Sequence, residues 1–266
     1  MSRNDWLNHV TETITAVITK DLDAASQLAD ALQWRGFLAG RDAEGVVLHT
    51  GDAHADDVDL STLSKMLRIE RLSDPDIVAR VDWPESSGLS RADEIRRILE
   101  IPSPQGMTAA GYRFADWDQF RNCRYGYGLP ACDLDFGVAL LVRALPLISV
   151  PTRLSGHGVR QQRRLHVQFD GPYAATCFKA AFHTHLARQL SRPAMFEFHI
   201  GSEDTNSLII GQNSNTIDAF RASQELGRLL IRPEVFEPLR GLKTRVCAGW
   251  TFRPLPEEFY ERYLDA

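Results

Sequence analysis

The chain has 266 residues, enough for one large domain or two smaller ones, and its 44% hydrophobic and 24% charged residues are typical of globular proteins. This composition excludes a low-complexity disordered chain, and no stretch approaches the roughly 18 apolar residues that a membrane-spanning helix needs. Residues 1–6 lack the basic-then-apolar layout of a signal peptide, so we expect a cytoplasmic protein without membrane association. The four cysteines form no C-x-x-C pair and are predicted to be buried or half-buried thiols.

The first 105 residues are predicted to form an acidic, mainly helical region. Leucine and alanine recur at helical spacing from residue 22 to residue 32, and Gly36 is a natural helix end. Residues 45–50 are rich in β-branched side chains and predict a strand. The acidic residues 51–59 are typical of a turn.

Three further helices are predicted before the chain is interrupted. Short helices are expected over residues 60–67 and 76–81. A third helix begins at Ser90, whose hydroxyl and the Asp93 carboxylate resemble a capping box. Prolines and glycine near residues 101–112 indicate a boundary, so residues 106–266 are predicted to form a second domain.

The second domain is predicted to have the element order α-ββ-α-ββ-α. An apolar helix is expected from Asp135 to Ala144, and Pro172 and Asn215 are favourable starting points for the next two helices. The expected strands cover residues 147–154, 164–169, 194–200 and 207–210, and a last helix follows from Pro233 to about residue 247. The fold class is therefore α+β: a helical N-terminal part, then a mixed or antiparallel sheet covered by helices on one face.

The alternation of side chains along these strands predicts one polar sheet face. If the apolar residues meet the helices, the opposite face carries Arg153, Ser155, Arg164, His166, Gln168, Glu197 and His199, with His157 in an adjoining loop. Two histidines and a glutamate could supply a general acid and base near neutral pH, and the candidate catalytic residues are His157, His166, His199 and Glu197. Such a face could equally be merely solvated.

The charges are unevenly distributed along the chain. Residues 1–120 contain 12 lysines and arginines against 21 acids, a net charge of −9, whereas residues 121–266 contain 18 against 14, a net charge of +4. A basic zone from residue 153 to residue 192 indicates an anionic partner, although it could also be a solvated surface balanced by the acidic half. The candidate residues for binding a phosphate-bearing substrate are Arg153, Ser155, Arg160, Arg163 and Arg164.

No metal site or cofactor is identified by the sequence. His183 and His185 lie about 200° apart on a helix and cannot chelate one ion, so His185 is predicted to be a core residue. A site built from His157, His166 and His199 remains geometrically open but lacks any diagnostic spacing. The P-loop, the dinucleotide-binding fingerprint and the G-x-S-x-G and H-E-x-x-H motifs are all absent.

One segment resembles a known family. After the apolar helix, the run Val150-Pro151-Thr152-Arg153-Leu154-Ser155-Gly156-His157-Gly158 resembles the strand and loop of the tRNA wybutosine-synthesising methyltransferase family, its third pathway enzyme. Thr152, Ser155 and Gly156 match, whereas Leu154 replaces a cysteine and His157 an arginine of the family loop. The resemblance covers residues 135–158 and implies a related sheet and an RNA-facing loop.

These observations favour a nucleic-acid-binding protein, directed to RNA, with its site on the C-terminal sheet. An enzyme acting on a small phosphorylated or nucleotide-like substrate is the first alternative. The second is a non-catalytic subunit whose acidic N-terminal half binds a protein partner.

Overall fold

The computed structural model describes residues 3–20, 22–49, 51, 53–102, 129–156, 165–200, 206–212 and 214–247, and they form two compact units. The first unit contains the described residues up to 102 together with 129–140, and the second contains those from Leu141 onward. Helices and antiparallel sheets are present in both units, which confirms the α+β class. Within the described residues, no helix is long and apolar enough to cross a membrane.

The first unit contains four helices and a four-stranded antiparallel sheet. The helices are α1 (Arg3–Thr19), α2 (Ala24–Arg35), α3 (Ala53–Leu63) and α4 (Arg91–Leu99). The strands are β1 (Ala39–Arg41), β2 (Val46–His49), β3 (Arg68–Arg71) and β4 (Ile77–Asp82), paired in the order β1-β2-β4-β3. Helix α2 packs on β1 and β2 and also against α4, so the core of the unit lies between the helices and one sheet face.

Local capping residues explain where the two best-defined helices of this unit begin and end. Asp23 accepts a hydrogen bond from the Ser26 amide at 2.8 Å and begins α2, and Gly36 ends it at a φ of 108°. A Cβ at Gly36 would lie 2.3 Å from the Cβ of Ala139, so glycine is also required there by close packing. Ser90 caps α4 by accepting from the Asp93 amide, so the predicted end of α2 at Gly36 and the predicted start of α4 at Ser90 are confirmed.

Two predictions in this unit were wrong. Residues 51–59 were expected to form a turn and 60–67 a helix, but α3 begins at Ala53 and ends at Leu63. Residues 76–81 were expected to form a helix, but they form the central strand β4. Strand β4 pairs with both β2 and β3 and buries Ala79 and Val81, so tertiary pairing decides the conformation of this short apolar run.

A fully buried arginine joins three segments of the first unit. The Arg35 side chain is 0% exposed, and its guanidinium donates to the carbonyl oxygens of Ile101 at 2.9 Å and Pro102 at 3.2 Å. It also donates to the carbonyl oxygen of Ala131 at 2.7 Å, and the Ala131 amide donates to the buried Asp59 at 2.8 Å. Arg35 therefore satisfies backbone acceptors that burial would otherwise leave without donors.

The second unit contains the remaining helices and a second four-stranded antiparallel sheet. After α5 (Ala139–Ala144), whose first two residues belong to the first unit, come β5 (Thr152–Gly156), β6 (Leu165–Phe169), α6 (Pro172–Ala181), β7 (Phe196–His199), β8 (Ser207–Ile210), α7 (Thr216–Leu230) and α8 (Pro233–Cys247). The strands pair in the order β5-β6-β8-β7. Helix α6 packs on β6, and α7 packs on β6 and β8, while Asn215 caps α7 as predicted.

The helices predicted for this unit are present, but some of them begin or end at other residues than predicted. The apolar helix begins at Ala139 rather than at Asp135, and it is followed by a 3₁₀ turn over Leu145–Ile148, so β5 starts later than expected. The helix from Pro172 continues beyond Ala181 as a π-helical turn over Phe182–Leu186. This wider turn shifts the helical phase, so His185 is half-buried instead of lying in the core as predicted.

We expect the buried guanidinium of Arg35 to be essential for the stability of the first unit. Arg35→Met places an apolar side chain at this position and leaves the carbonyl oxygens of Ile101, Pro102 and Ala131 without their donor, so it should lower the free energy of unfolding by about 3–5 kcal/mol. Urea denaturation monitored by tryptophan fluorescence measures this change. The exposed Arg97 on α4 is the matched control, and Arg97→Met should change the stability by less than about 0.5 kcal/mol. An equally small effect of Arg35→Met would contradict the role of Arg35.

Candidate functional site

Register places two rows of side chains on one face of the second sheet, here called the polar face. In the first row His166, Ile209 and Glu197 are direct cross-strand neighbours on β6, β8 and β7. In the second row Gln168, Ser207 and His199 are neighbours in the same strand order. Side chains directly opposite one another on paired strands point to the same side of the sheet, so these six residues share one surface.

The opposite face of this sheet is apolar and meets the helices. Five of its residues are at most 4% exposed: Leu165, Val167, Phe169, Leu208 and Ile210. In contrast, Glu197 is exposed and the other five residues of the polar face are half-buried. The predicted common face of His166, Gln168, Glu197 and His199 is therefore confirmed, whereas their chemical role stays a prediction.

The predicted positions of Ser155 and Arg153 were affected by a bulge in β5. Thr152 pairs with Phe169 and Leu154 with Gln168, so Arg153 is the additional residue of the bulge. After the bulge Ser155 pairs with Val167 on the helix-covered side. The prediction that Ser155 shares a face with His166 was therefore wrong, because one inserted residue inverts the order of the faces along the rest of the strand. The alternation rule also does not determine to which face the bulge residue Arg153 belongs.

A close contact between Glu197 and His199 is the best-defined polar feature of this face. Their atoms Oε1 and Nε2 lie 2.8 Å apart, and the two side chains are 47% and 42% exposed. They are two residues apart on β7 and therefore project from the same side of the strand. The contact lacks the geometry of a hydrogen bond, because Nε2 of His199 is a buried atom without a hydrogen-bond partner among the described residues.

His166 lies away from this pair. Ile209 separates His166 from Glu197 in the first row, so the two side chains belong to strands about 10 Å apart. The chain leaves β5 at Gly156 and re-enters the sheet at Leu165, next to His166, whereas His199 lies at the other end of the sheet. The remaining candidates, His157, Arg160, Arg163 and Arg164, belong to that connection and lie outside the described residues.

Two members of the polar face were not found from the sequence. Three of the four residues of β8 are apolar (Ser207-Leu208-Ile209-Ile210), so periodicity alone does not show which side faces the helices. Pairing with β6 resolves this ambiguity and places Ser207 and Ile209 on the polar face. A metal centre has no support in the part of the chain that the structure describes, since no three His, Cys, Asp or Glu side chains there are grouped to hold an ion.

The corresponding face of the first sheet has a different electrostatic character. Its equivalent row is Gly40, Val47, Arg80 and Glu70, with arginine at the position that Ile209 occupies in the second sheet. Arg80 forms ion pairs with Asp42 at 3.1 Å, Glu44 at 2.7 Å and Glu70 at 3.8 Å. The hydrogen bond from the Glu44 amide, followed by the Arg80 guanidinium, lowers the pKa of Asp42. Arg80 is therefore committed to neighbouring carboxylates, which makes the second sheet the better candidate for binding an anion.

Comparison with known proteins adds no functional information. The chain matches no protein-family model, and no curated protein or solved structure is significantly similar to it. The resemblance of residues 135–158 to the wybutosine-synthesising methyltransferases therefore stays a prediction. The functional argument depends on the residues of the polar face and their geometry.

We expect the two faces of β6 to differ in their contribution to stability. Val167 is 0% exposed, so Val167→Ala should lower the free energy of unfolding by about 2 kcal/mol through lost apolar burial and a residual cavity. The half-buried His166 on the other face should tolerate His166→Ala at less than half that cost. Urea denaturation of both variants provides the measurement. An equal loss in both would show that the polar face is packed for stability.

Proposed function

We propose that the protein binds single-stranded RNA on the polar face of the second sheet. The observation that carries this proposal is the register that aligns His166, Gln168, Ser207 and His199 on one partly exposed surface, where imidazole, amide and hydroxyl groups can contact sugar and phosphate. A sheet surface with alternating hydrogen-bonding side chains suits an extended strand better than it suits a small molecule, which usually requires a concave pocket.

The neighbouring connection supplies the positive charge for this interaction. Residues 157–164 contain Arg160, Arg163 and Arg164 and no acid, and the segment joins β5 to β6 beside His166. Arginine forms bidentate hydrogen bonds with phosphate, and such contacts supply most of the sequence-independent affinity for nucleic acid. The resemblance of residues 135–158 to an RNA-modifying family supports an RNA-facing segment at the same place.

The central apolar residue of the polar face fits the same ligand. Ile209 lies between His166 and Glu197 and is half-buried, so it offers a base a surface without hydrogen-bonding requirements. In the first sheet the same position holds Arg80, whose ion pairs to three carboxylates would oppose a polyanion. A cytoplasmic location belongs to the same proposal, and Cys132 and Cys177, which are thiols and not half-cystines, are consistent with a reducing compartment.

We expect removal of two arginines from the connection to weaken RNA binding and its salt dependence. The double variant Arg163→Ala with Arg164→Ala should lose two phosphate contacts, which reduces the slope of log affinity against log salt by about 1.4 for a single strand. Fluorescence anisotropy with a short labelled RNA, measured at several salt concentrations, gives this slope.

A double variant in the first unit is the matched control. Arg68→Ala with Arg71→Ala removes the same charge from exposed residues that pair with Glu85 and Asp57. Such surface ion pairs contribute little to stability, so the control should fold and bind RNA with the wild-type slope. Equal losses in both double variants would indicate non-specific attraction, and absence of binding to the wild-type protein at low salt would refute the proposed function.

A further inference from the structure

We propose that β7 pairs antiparallel with β7 of a second copy of the chain, so that the four-stranded second sheets of two subunits join into one continuous sheet. Strand β7 lies at an edge, since the described strands of this sheet pair in the order β5-β6-β8-β7. The inference goes beyond the proposed RNA binding and does not depend on it. Its basis is that the backbone groups, charges and apolar side chains of β7 are all self-complementary about a twofold axis at Phe198.

The hydrogen bonds of β7 leave a donor and an acceptor at Phe198. The Gly211 amide donates to the Met195 carbonyl oxygen at 2.8 Å. Because hydrogen-bonded residues alternate along an antiparallel ladder, every second residue from Met195 directs its backbone groups to β8, whereas Phe196 and Phe198 direct theirs to the open edge. The Phe196 amide already donates to the Pro193 carbonyl oxygen, so the edge N–H and C=O of Phe198 are the ones that can both pair with a second copy.

The charges on the polar face select the register of this pairing. A twofold axis at Phe198 places Glu197 directly opposite His199 of the partner subunit, in two symmetry-related pairs with Cβ atoms about 4.5–5.5 Å apart. An axis at Glu197 would instead place two carboxylates opposite one another, which is unfavourable. The Glu197 and His199 side chains are 47% and 42% exposed, and no hydrogen bond joins them within their own strand, so both are available to a second copy.

The apolar side of β7 is complementary to itself in the same register. Phe198 is half-buried and packs on Phe182 and Phe178, with ring centroids 5.4 Å and 5.9 Å away. The axis brings the two Phe198 side chains opposite one another, and it places the half-buried Ile200 opposite Phe196 of the partner subunit. Pairing therefore removes aromatic and aliphatic surface from water on the side of the sheet that faces the helices.

The other sheet edges in the described residues are protected against such pairing. Gln33 donates through Nε2 to the Ala39 carbonyl oxygen at 2.7 Å and so occupies a backbone acceptor of β1. Three of the four residues of β3 are exposed and charged, and β5 contains the bulge at Arg153. Charged runs and bulges are the usual means by which proteins block edge strands. Strand β7 pairs with β8 in continuous register and has neither, which makes it the edge best suited to a second copy.

Analytical ultracentrifugation of the purified full-length chain without RNA measures this association, and we expect a wild-type dimer with a micromolar Kd. His199→Glu places carboxylates opposite one another in both pairs, and Glu197→Lys with His199→Lys places ammonium groups there. Each variant should raise the dimer Kd by about tenfold or more. Mixed in equal amounts, the two variants should form a heterodimer, because every carboxylate then lies opposite an ammonium group. Native mass spectrometry identifies this heterodimer by its mass.

An exposed residue of the same unit provides the control. Gln189→Glu adds the same charge as His199→Glu outside β7, so it should leave the dimer Kd unchanged. A wild-type chain that is still monomeric at about 100 μM, where a micromolar dimer is almost fully formed, would overturn the inference. Unchanged dimerisation of both charge variants would place the interface elsewhere and overturn it as well. So would failure of the mixed variants to associate while each retains the wild-type circular dichroism spectrum.

Discussion

The antiparallel pairing of β6 with β8 is the constraint on which the candidate site depends. Leu165 pairs with Ile210 and His166 with Ile209, so each strand directs alternate side chains to the helices and to the polar face. A slip by one residue would bring His166 and Gln168 into the core and expose Val167, which is fully buried. The apolar face therefore holds the register, and the register in turn determines the positions of the polar residues. Stability and the proposed function are in this way assigned to opposite sides of the same strands.

The two units share one strand order, since β1-β2-β4-β3 and β5-β6-β8-β7 follow the same pattern. Both sheets have a glutamate on the edge strand of the equivalent row, Glu70 in the first and Glu197 in the second. Their partners differ: Glu70 pairs with the central Arg80, whereas Glu197 contacts His199 on its own strand. The two sheet faces thus differ at one central position: arginine links the first face through ion pairs, whereas isoleucine gives the second face an apolar centre.

Part of the second unit followed from local sequence signals, because β6 alternates strictly and α7 begins at a recognisable cap. Leu165–Phe169 alternates apolar and polar residues, and Asn215 accepts from the Asp218 amide at 2.9 Å, so both elements were predicted. The failures arose where long-range pairing outweighs local preference. Strand β4 is central only because β2 and β3 flank it, and the bulge at Arg153 inverts the face of Ser155. Neither effect is visible in a short window of sequence.

The position of Glu197 limits how an anionic strand could lie on the polar face. A carboxylate repels phosphate, so the phosphates of a bound strand are expected to lie away from Glu197 on the edge strand β7. His166 and Gln168 belong to β6, and β8 with Ile209 and Ser207 separates them from β7 by about 10 Å in all. The β6 side of the polar face is therefore the part on which the proposed binding of a polyanion depends.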